Sequence, residues 1–427
     1  MPDGAPLAAP DARSARRAWI VLATASLAVF AALGLGRFGY AALLPPMQAD
    51  LGLSNTEAGA LASWNLGAYV VVAVAAGLLS TRVGARRLVA VGLLVAGIAM
   101  VATGLAGSMV SASAARAATG IGAGMTNVPA VALAAGWFGA RRRGMATGVV
   151  VSGSSLALVL VGPLVPRVIA RLGDDAWRIC WYGFGVVALV IAVVAWLLLR
   201  DPPPDWNGAT TRPHGKDHGL RVVFRSGFAW RLGIVYFAFG FSYVIYMTFF
   251  VKRLTGGLGM TAEGAGTLFM TLGCASLLCG VIWGHVSDVI GRKYALAIVC
   301  GIHGVSYAAF ALWTSTPGLA VSAVLFGLTA WSVPGIVGAA CGDAFGPSLV
   351  AAALGFVTLF LGVGQALGPL VGGFLADTYP SFAPSYLLAS GVALAGAVAA
   401  LLLPEMRSAP PSAVTPPKPA PGVANDR

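Results

Sequence analysis

The chain has 427 residues, of which 58% are hydrophobic and only 10% charged. Soluble domains carry about 25% charged residues, so a water-soluble enzyme or binding module is excluded. The net charge of +12 would suit a nucleic-acid partner, but the charges fall mainly in tails and short loops between apolar runs, which excludes that too.

In chain order, residues 1–17 read as a disordered tail. Arg13, Arg16 and Arg17 precede an apolar run without a convincing cleavage site, so that run is a first membrane helix and not a signal peptide. Six apolar runs of spanning length follow one another at about 18–44, 57–79, 86–107, 112–136, 144–170 and 178–199. Residues 201–227 form a polar, Pro-rich linker, expected to be flexible, in which His214 and His218 have no partner spaced for a metal. Six further runs lie at about 228–251, 264–286, 294–314, 318–342, 349–376 and 384–403, and residues 405–427 read as a second disordered tail. The chain is therefore expected to be an all-α membrane protein. It has twelve transmembrane helices, in two six-helix halves at 18–200 and 228–404.

With both ends placed in the cytoplasm, twenty Lys and Arg fall on that side and five on the other, among them Lys252 and Arg253. This is the positive-inside distribution of an inner-membrane protein. Arg37 and Arg116 are left over inside predicted helices. The five cysteines all fall in predicted helices and read as buried free thiols.

The two halves repeat one another. Ser54 to Leu61 aligns with Thr261 to Leu268, and Gly77 to Arg87 with Gly284 to Lys293, at a constant offset of 207; Gly162-Pro163 aligns with Gly368-Pro369 at 206. A duplicated membrane unit is the mark of a secondary transporter whose substrate sits between the halves. Gly120, Gly122 and Gly124 give the fourth helix a small face. The Gly-Pro pairs of the fifth and eleventh helices permit bending as well as close packing.

The loop Gly77-x3-Thr81-Arg82-x-Gly84-x-Arg86-Arg87 resembles the signature between helices 2 and 3 of the major facilitator superfamily. Its second copy, Gly284-x3-Asp288-x2-Gly291-Arg292-Lys293, keeps the acid that Thr81 replaces. The resemblance implies a cytoplasmic charge latch formed by Asp288 with Arg292 and Lys293, and a weaker one with Arg82 and Arg86. Arg116-x3-Gly120-x-Gly122-x-Gly124 looks like the helix 4 motif of the same superfamily, which implies a coupling role for Arg116. The stretch from Gly34 to Pro45 is similar to the YbfB/YjiJ branch, and Trp137 to Gly148 to monocarboxylate and oxalate/formate carriers.

Arg37 lies roughly 11 Å inside the outer end of the first helix at 1.5 Å per residue, a depth at which an unpaired charge is costly. Its spacing to Pro45 resembles that of the phosphate-binding arginine of organophosphate antiporters. Shifted by 206, Arg37 and Tyr40 fall on Tyr243 and Tyr246, which suggests an arginine facing tyrosines as an anion clamp. Asn65, Asn127 and Gln365 are further candidates for the cavity wall. Asp50, Glu57, Glu263, Asp343 and Asp377 all fall near helix ends, so the cavity is expected to be positive.

The sequence thus reads as a carrier of a small organic anion, with a proton or counter-anion as coupling ion. It carries no nucleotide loop, metal cluster or catalytic triad, and no cofactor is expected. Partners are the bilayer and the solute, and a monomer is expected. Export of neutral or amphipathic compounds is the alternative, followed by a transporter-like sensor.

Overall fold

The structure is a computed structural model that describes residues 12–138, 142–173, 175–202 and 216–405. The expected tails therefore lie largely outside the described residues, as does the middle of the linker with His214. Among the described residues all regular structure is helical.

Among the described residues eleven helices are long and apolar enough to cross a membrane, and a bent pair taken as one span makes twelve. In the first half they are α1 (Ala15–Asp50), α2 (Asn55–Val83), α3 (Ala85–Gly104), α4 (Met109–Trp137), α5 (Arg143–Leu172) and α6 (Ala176–Leu198). In the second they are α7 (Gly227–Gly257), α8 (Ala262–Ser276 and Cys279–Ile290), α9 (Arg292–Leu312), α10 (Thr316–Gly346), α11 (Leu349–Thr378) and α12 (Ala383–Leu401). α8 is bent by 42° at its break, where an unbroken span was expected. α10 is interrupted by turns at 328–331, so Trp331 sits at a break within the membrane-spanning part. Such non-helical backbone survives at depth only where protein covers it.

Two other expectations are corrected. The first helix does not end at Pro45 but continues to Asp50, with Pro45 and Pro46 inside it. Proline's fixed φ is compatible with a helix, although each loses an N–H and crowds the carbonyl four residues before it. The linker is not wholly irregular: Lys216–Arg225 form a short helix whose Phe224 packs edge-on against Phe356 of α11.

The repeat is visible in the backbone. Ser54 caps α2 by accepting from Glu57 N–H, and Thr261, its repeat mate, caps α8 by accepting from Gly264 N–H. The α2–α3 and α8–α9 turns pivot on Gly84 and Gly291, both at φ +92°, a region that a side chain disfavours. The repeated Gly-Pro pairs also take up matching positions. Gly162 of α5 lies against the Gly266 carbonyl of α8, and the Pro369 carbonyl of α11 lies against Gly59 of α2. A Cβ at either glycine would strike backbone.

These two crossings, with α1 against α7, join the halves. α7 is the most enclosed span, 89% of its apolar window being buried against 39% for α6, α11 and α12; it lies at the centre. α11 carries glycines on two faces: Gly364 and Gly368 meet the α7 backbone, while Gly362 and Gly373 meet α2. Large apolar side chains such as Leu105, Val110, Val281 and Phe374 stay exposed on the outside, as lipid contact requires. Of the cysteines, Cys274 is also exposed, and the other four are buried. From lipid and from a protein core alike the sequence signal is an apolar residue, so the two were not distinguishable.

Candidate functional site

α1 loses regular α-geometry just before the site. Phe30–Phe38 form a π-helix, and Gly39 N–H bonds back to the Gly34 carbonyl. Such wide turns are frequent at functional sites, and Gly34 and Gly36 let this one pack closely against Ala157 and Thr119. It ends at Arg37 and Phe38, which face the interface of the halves.

There a cavity of about 20 Å³ is lined by Arg37, Phe38, Tyr40, Ala41, Ala62, Asn65, Leu66 and Arg116 from the first half. Tyr243, Val244, Met247 and Thr248 line it from the second. Its volume holds about one water. No carboxylate belongs to the lining.

Arg37 is partly exposed, and its guanidinium carbon lies 4.3 Å from the centre of the Tyr69 ring. Its Nε and Nη2 atoms are buried with no hydrogen-bond partner. These two nitrogens form one edge of the guanidinium fork, the edge that takes a carboxylate with two parallel bonds. Tyr243 interacts with Arg37 and receives a hydrogen bond from Gln365 Nε2 at 2.6 Å. Asn127 Nδ2 donates to the Tyr69 hydroxyl at 2.9 Å. Contacts therefore link Arg37 to two tyrosine–amide pairs, Tyr69 with Asn127 and Tyr243 with Gln365, of which Tyr243 belongs to the cavity lining and the other three stand behind it. Nothing in the sequence marked Tyr69, which is one apolar-looking position among many in its span.

Other candidates are placed differently. Tyr40 lines the cavity, but its hydroxyl donates to the Ala58 carbonyl at 2.7 Å, so it braces α1 on α2 and does not offer a donor to a ligand. Tyr246 does not reach the site at all. It is fully buried among Tyr307, Phe310, Phe326 and Tyr386, with its hydroxyl on Ser322 at 2.9 Å. Three residues beyond Tyr243, it lies about 300° further around the helix, and packing inside the second half took it. Asn65 is also engaged, donating to the Arg116 carbonyl at 3.0 Å.

Arg116 is 1% exposed. Its Nη1 donates to the Gly36 carbonyl at 2.5 Å, and its guanidinium lies over the Tyr40 and Trp181 rings at 4.7 and 5.3 Å. It fastens the π-segment to α4 and α6, and its charge repels that of Arg37. Arg253, expected in a loop, is buried at the end of α7 and donates to the Ala311 carbonyl at 2.7 Å.

Across the interface, Phe38 packs on Trp331 with ring centres 5.0 Å apart. The Trp331 indole N–H donates to Ser155 Oγ of α5 at 3.0 Å, and Ser276 of α8 donates to the same oxygen at 2.8 Å. The breaks in α8 and α10 thus turn polar groups towards α5.

On the face where the described chain begins and ends, Arg292 pairs with Asp288 one turn away and with Asp343 of α10 at 3.0 Å. Asp343 is the more shielded acid, 27% exposed against 61% for Asp288. Lys293 lies over the Tyr294 ring at 5.5 Å. In the first half Asp201 accepts from Ala85 and Arg86 N–H groups at 3.1 and 3.3 Å. A carboxylate thus stands beside a loop that lacks one of its own. Arg86 donates to the Trp196 carbonyl, Arg82 is exposed, and the Thr81 side chain lies outside the described part. On the opposite face Asp377 of α11 accepts from Asn55 N–H at 2.9 Å, Thr56 N–H at 2.7 Å and the Thr56 hydroxyl at 2.5 Å. It caps α2 across the interface.

The sequence profile of a family described as uncharacterised MFS-type transporter YbfB matches residues 29–402. The hexuronate transporter of Bacillus subtilis is 24% identical over 388 residues, 86% of this chain and 90% of that protein. The probable sulfoacetate transporter SauU of Cupriavidus necator is 23% identical over 405 residues, 86% of this chain and 90% of its own length. A bacterial homologue of the human lysosomal transporter Spinster, solved inward-facing and unoccupied, superposes with a TM-score of 0.69 at 15% identity. The match covers 92% of this chain and 96% of that one.

Proposed function

The chain belongs to the YbfB-type family of the major facilitator superfamily, a family of membrane transporters and not enzymes, and from that premise we propose that it moves a small organic anion by alternating access. The observation that carries the reading is the Nε–Nη2 edge of Arg37, buried and unpartnered in a cavity between the halves that no carboxylate lines. Buried guanidinium nitrogens left without an acceptor are costly, and an anionic solute relieves that cost. Relatives named for hexuronate and sulfoacetate transport lend support.

The halves 18–200 and 228–404 would rock about the α2–α11 and α5–α8 crossings, joined by the linker 201–227. The twenty-to-five distribution of Lys and Arg supports an inner-membrane carrier with both ends in the cytoplasm. Coupling to a proton or a counter-anion completes the reading. Arg37, Tyr243, Asn127 and Gln365 would contact the solute. Arg116, Asp288, Asp343 and Arg292 would govern the change of state.

The test is transport into proteoliposomes across a panel of organic carboxylates beginning with glucuronate. Arg37→Lys keeps the charge but loses the planar fork, so affinity should fall about tenfold, one charge-assisted bond at roughly 1.5 kcal/mol. Arg37→Gln should abolish anion transport while the protein stays folded. Near-normal anion transport in both variants would sink the reading.

A further inference from the structure

We infer that the solute is a monocarboxylate bearing at least two hydroxyl groups, read by Asn127 from the first half and Gln365 from the second. The inference rests on the anion-carrier reading above and narrows it to a chemical class.

Arg37 stands between two tyrosine–amide pairs. On one side are Tyr69 of α2 and Asn127 of α4; on the other are Tyr243 of α7 and Gln365 of α11. Each amide is held at one end by a tyrosine hydroxyl. The other ends, Asn127 Oδ1 and Gln365 Oε1, are buried and have no partner. Gln365 is only 3% exposed. An apolar wall would have served a simple fatty or aromatic acid, and buried amide ends left open are unfavourable without a ligand that meets them. A hydroxyl both donates and accepts, so it satisfies an amide end whichever of its two atoms faces the ligand.

Charge limits the class further. A dicarboxylate would need a second free cation. Arg116 also lines the cavity and its Nε is buried without a partner, but Nη1 is bonded to the Gly36 carbonyl and the Tyr40 and Trp181 rings flank its guanidinium, so the open two-nitrogen edge is that of Arg37. One carboxylate, on Arg37, is what the site balances. Of the groups around Arg37, Tyr69 and Asn127 keep partial exposure while Tyr40 and Thr248 are buried, so the hydroxylated part of the solute would extend from Arg37 towards Tyr69 and Asn127.

The experiment compares two ligand pairs on the full chain in proteoliposomes: racemic glycerate with propanoate, and gluconate with hexanoate. Each pair has equal carbon number and charge and differs in hydroxyls. A site built to bond a hydroxyl discriminates strongly against the analogue lacking it, so at least one hydroxylated acid should compete about 100-fold better than its partner. Asn127→Leu and Gln365→Leu should each lower that ratio about tenfold. Ratios near one for both pairs in the unaltered protein overturn the inference while leaving the anion-carrier reading standing, and that measurement needs no variant to fold. Retention of the full ratio in both amide variants overturns the assignment to Asn127 and Gln365. Failure of all four acids and of the wider carboxylate panel to bind overturns the carrier reading and this inference together.

Discussion

Replacing Asp377 should open the face of the protein that bears the α1–α2 connection. In the structure the first three N–H groups of α2 are all satisfied, those of Asn55 and Thr56 by Asp377 and that of Glu57 by Ser54. Two of the three therefore depend on a residue from the other half. Loss of a helix-capping acceptor costs about 0.5–2 kcal/mol, and a carboxylate near an exposed helix N-terminus contributes about 0.3–1 kcal/mol beyond that. Asp377 is exposed, so the lower part of each range applies. Asp377→Asn keeps an acceptor and loses the charge, which gives about 0.5–1 kcal/mol. Asp377→Ala loses both, about 1–2 kcal/mol. These bonds exist only while α11 lies on α2, so their loss shifts the population towards the separated state by about two- to fivefold and five- to thirtyfold respectively. The assay places a cysteine at Thr248, a buried cavity-lining position of α7, with exposed Cys274 replaced by serine. Labelling by an impermeant maleimide from that face should accelerate in the order wild type, Asn, Ala. Equal rates in all three would refute the idea that this carboxylate holds the halves together.

On the other face, the ion pairs of Arg292 separate two acids that the sequence could not rank. Asp288→Asn should slow transport by less than about twofold, as for an exposed pair one helical turn apart, whereas Asp343→Asn should slow it by about three- to fivefold; the reverse order, measured at matched expression, would contradict the assignment. Gly373→Val should act like the loss of Asp377 by steric means, because a Cβ there meets the Asn55 carbonyl. Labelling at Thr248→Cys should rise in that variant with Asp377 intact, and an unchanged rate would mean that α2 and α11 yield without separating.

Much of this protein is local and therefore legible in its sequence. Runs of apolar residues set the twelve spans, because hydrocarbon allows a backbone only the helix or a closed barrel, and runs of about 20 residues suit the helix. Gly84 and Gly291 at one offset, and Ser54 and Thr261 at the same one, reveal the duplicated turns and caps, since positive φ and an orphan N–H each demand a particular residue at a particular place. That Arg37 lies inside a span could be read as well, but not its depth, which the continuation of α1 to Asp50 increases; the shortage of carboxylates within the spans was also legible. The rest depended on which way a helix faces. Lipid and protein interior both accept apolar side chains, so no local signal separated Tyr243, at the cavity, from Tyr246 three residues on, in the aromatic core. Nor did Tyr40 show that its hydroxyl would be engaged by Ala58. Asp343 meets Arg292 across 51 residues and Asp377 meets Thr56 across 321, and a bond between such distant positions leaves no trace in the residues around either. Only the packing of the halves created those pairs, together with the open amide ends of Asn127 and Gln365 beside Arg37.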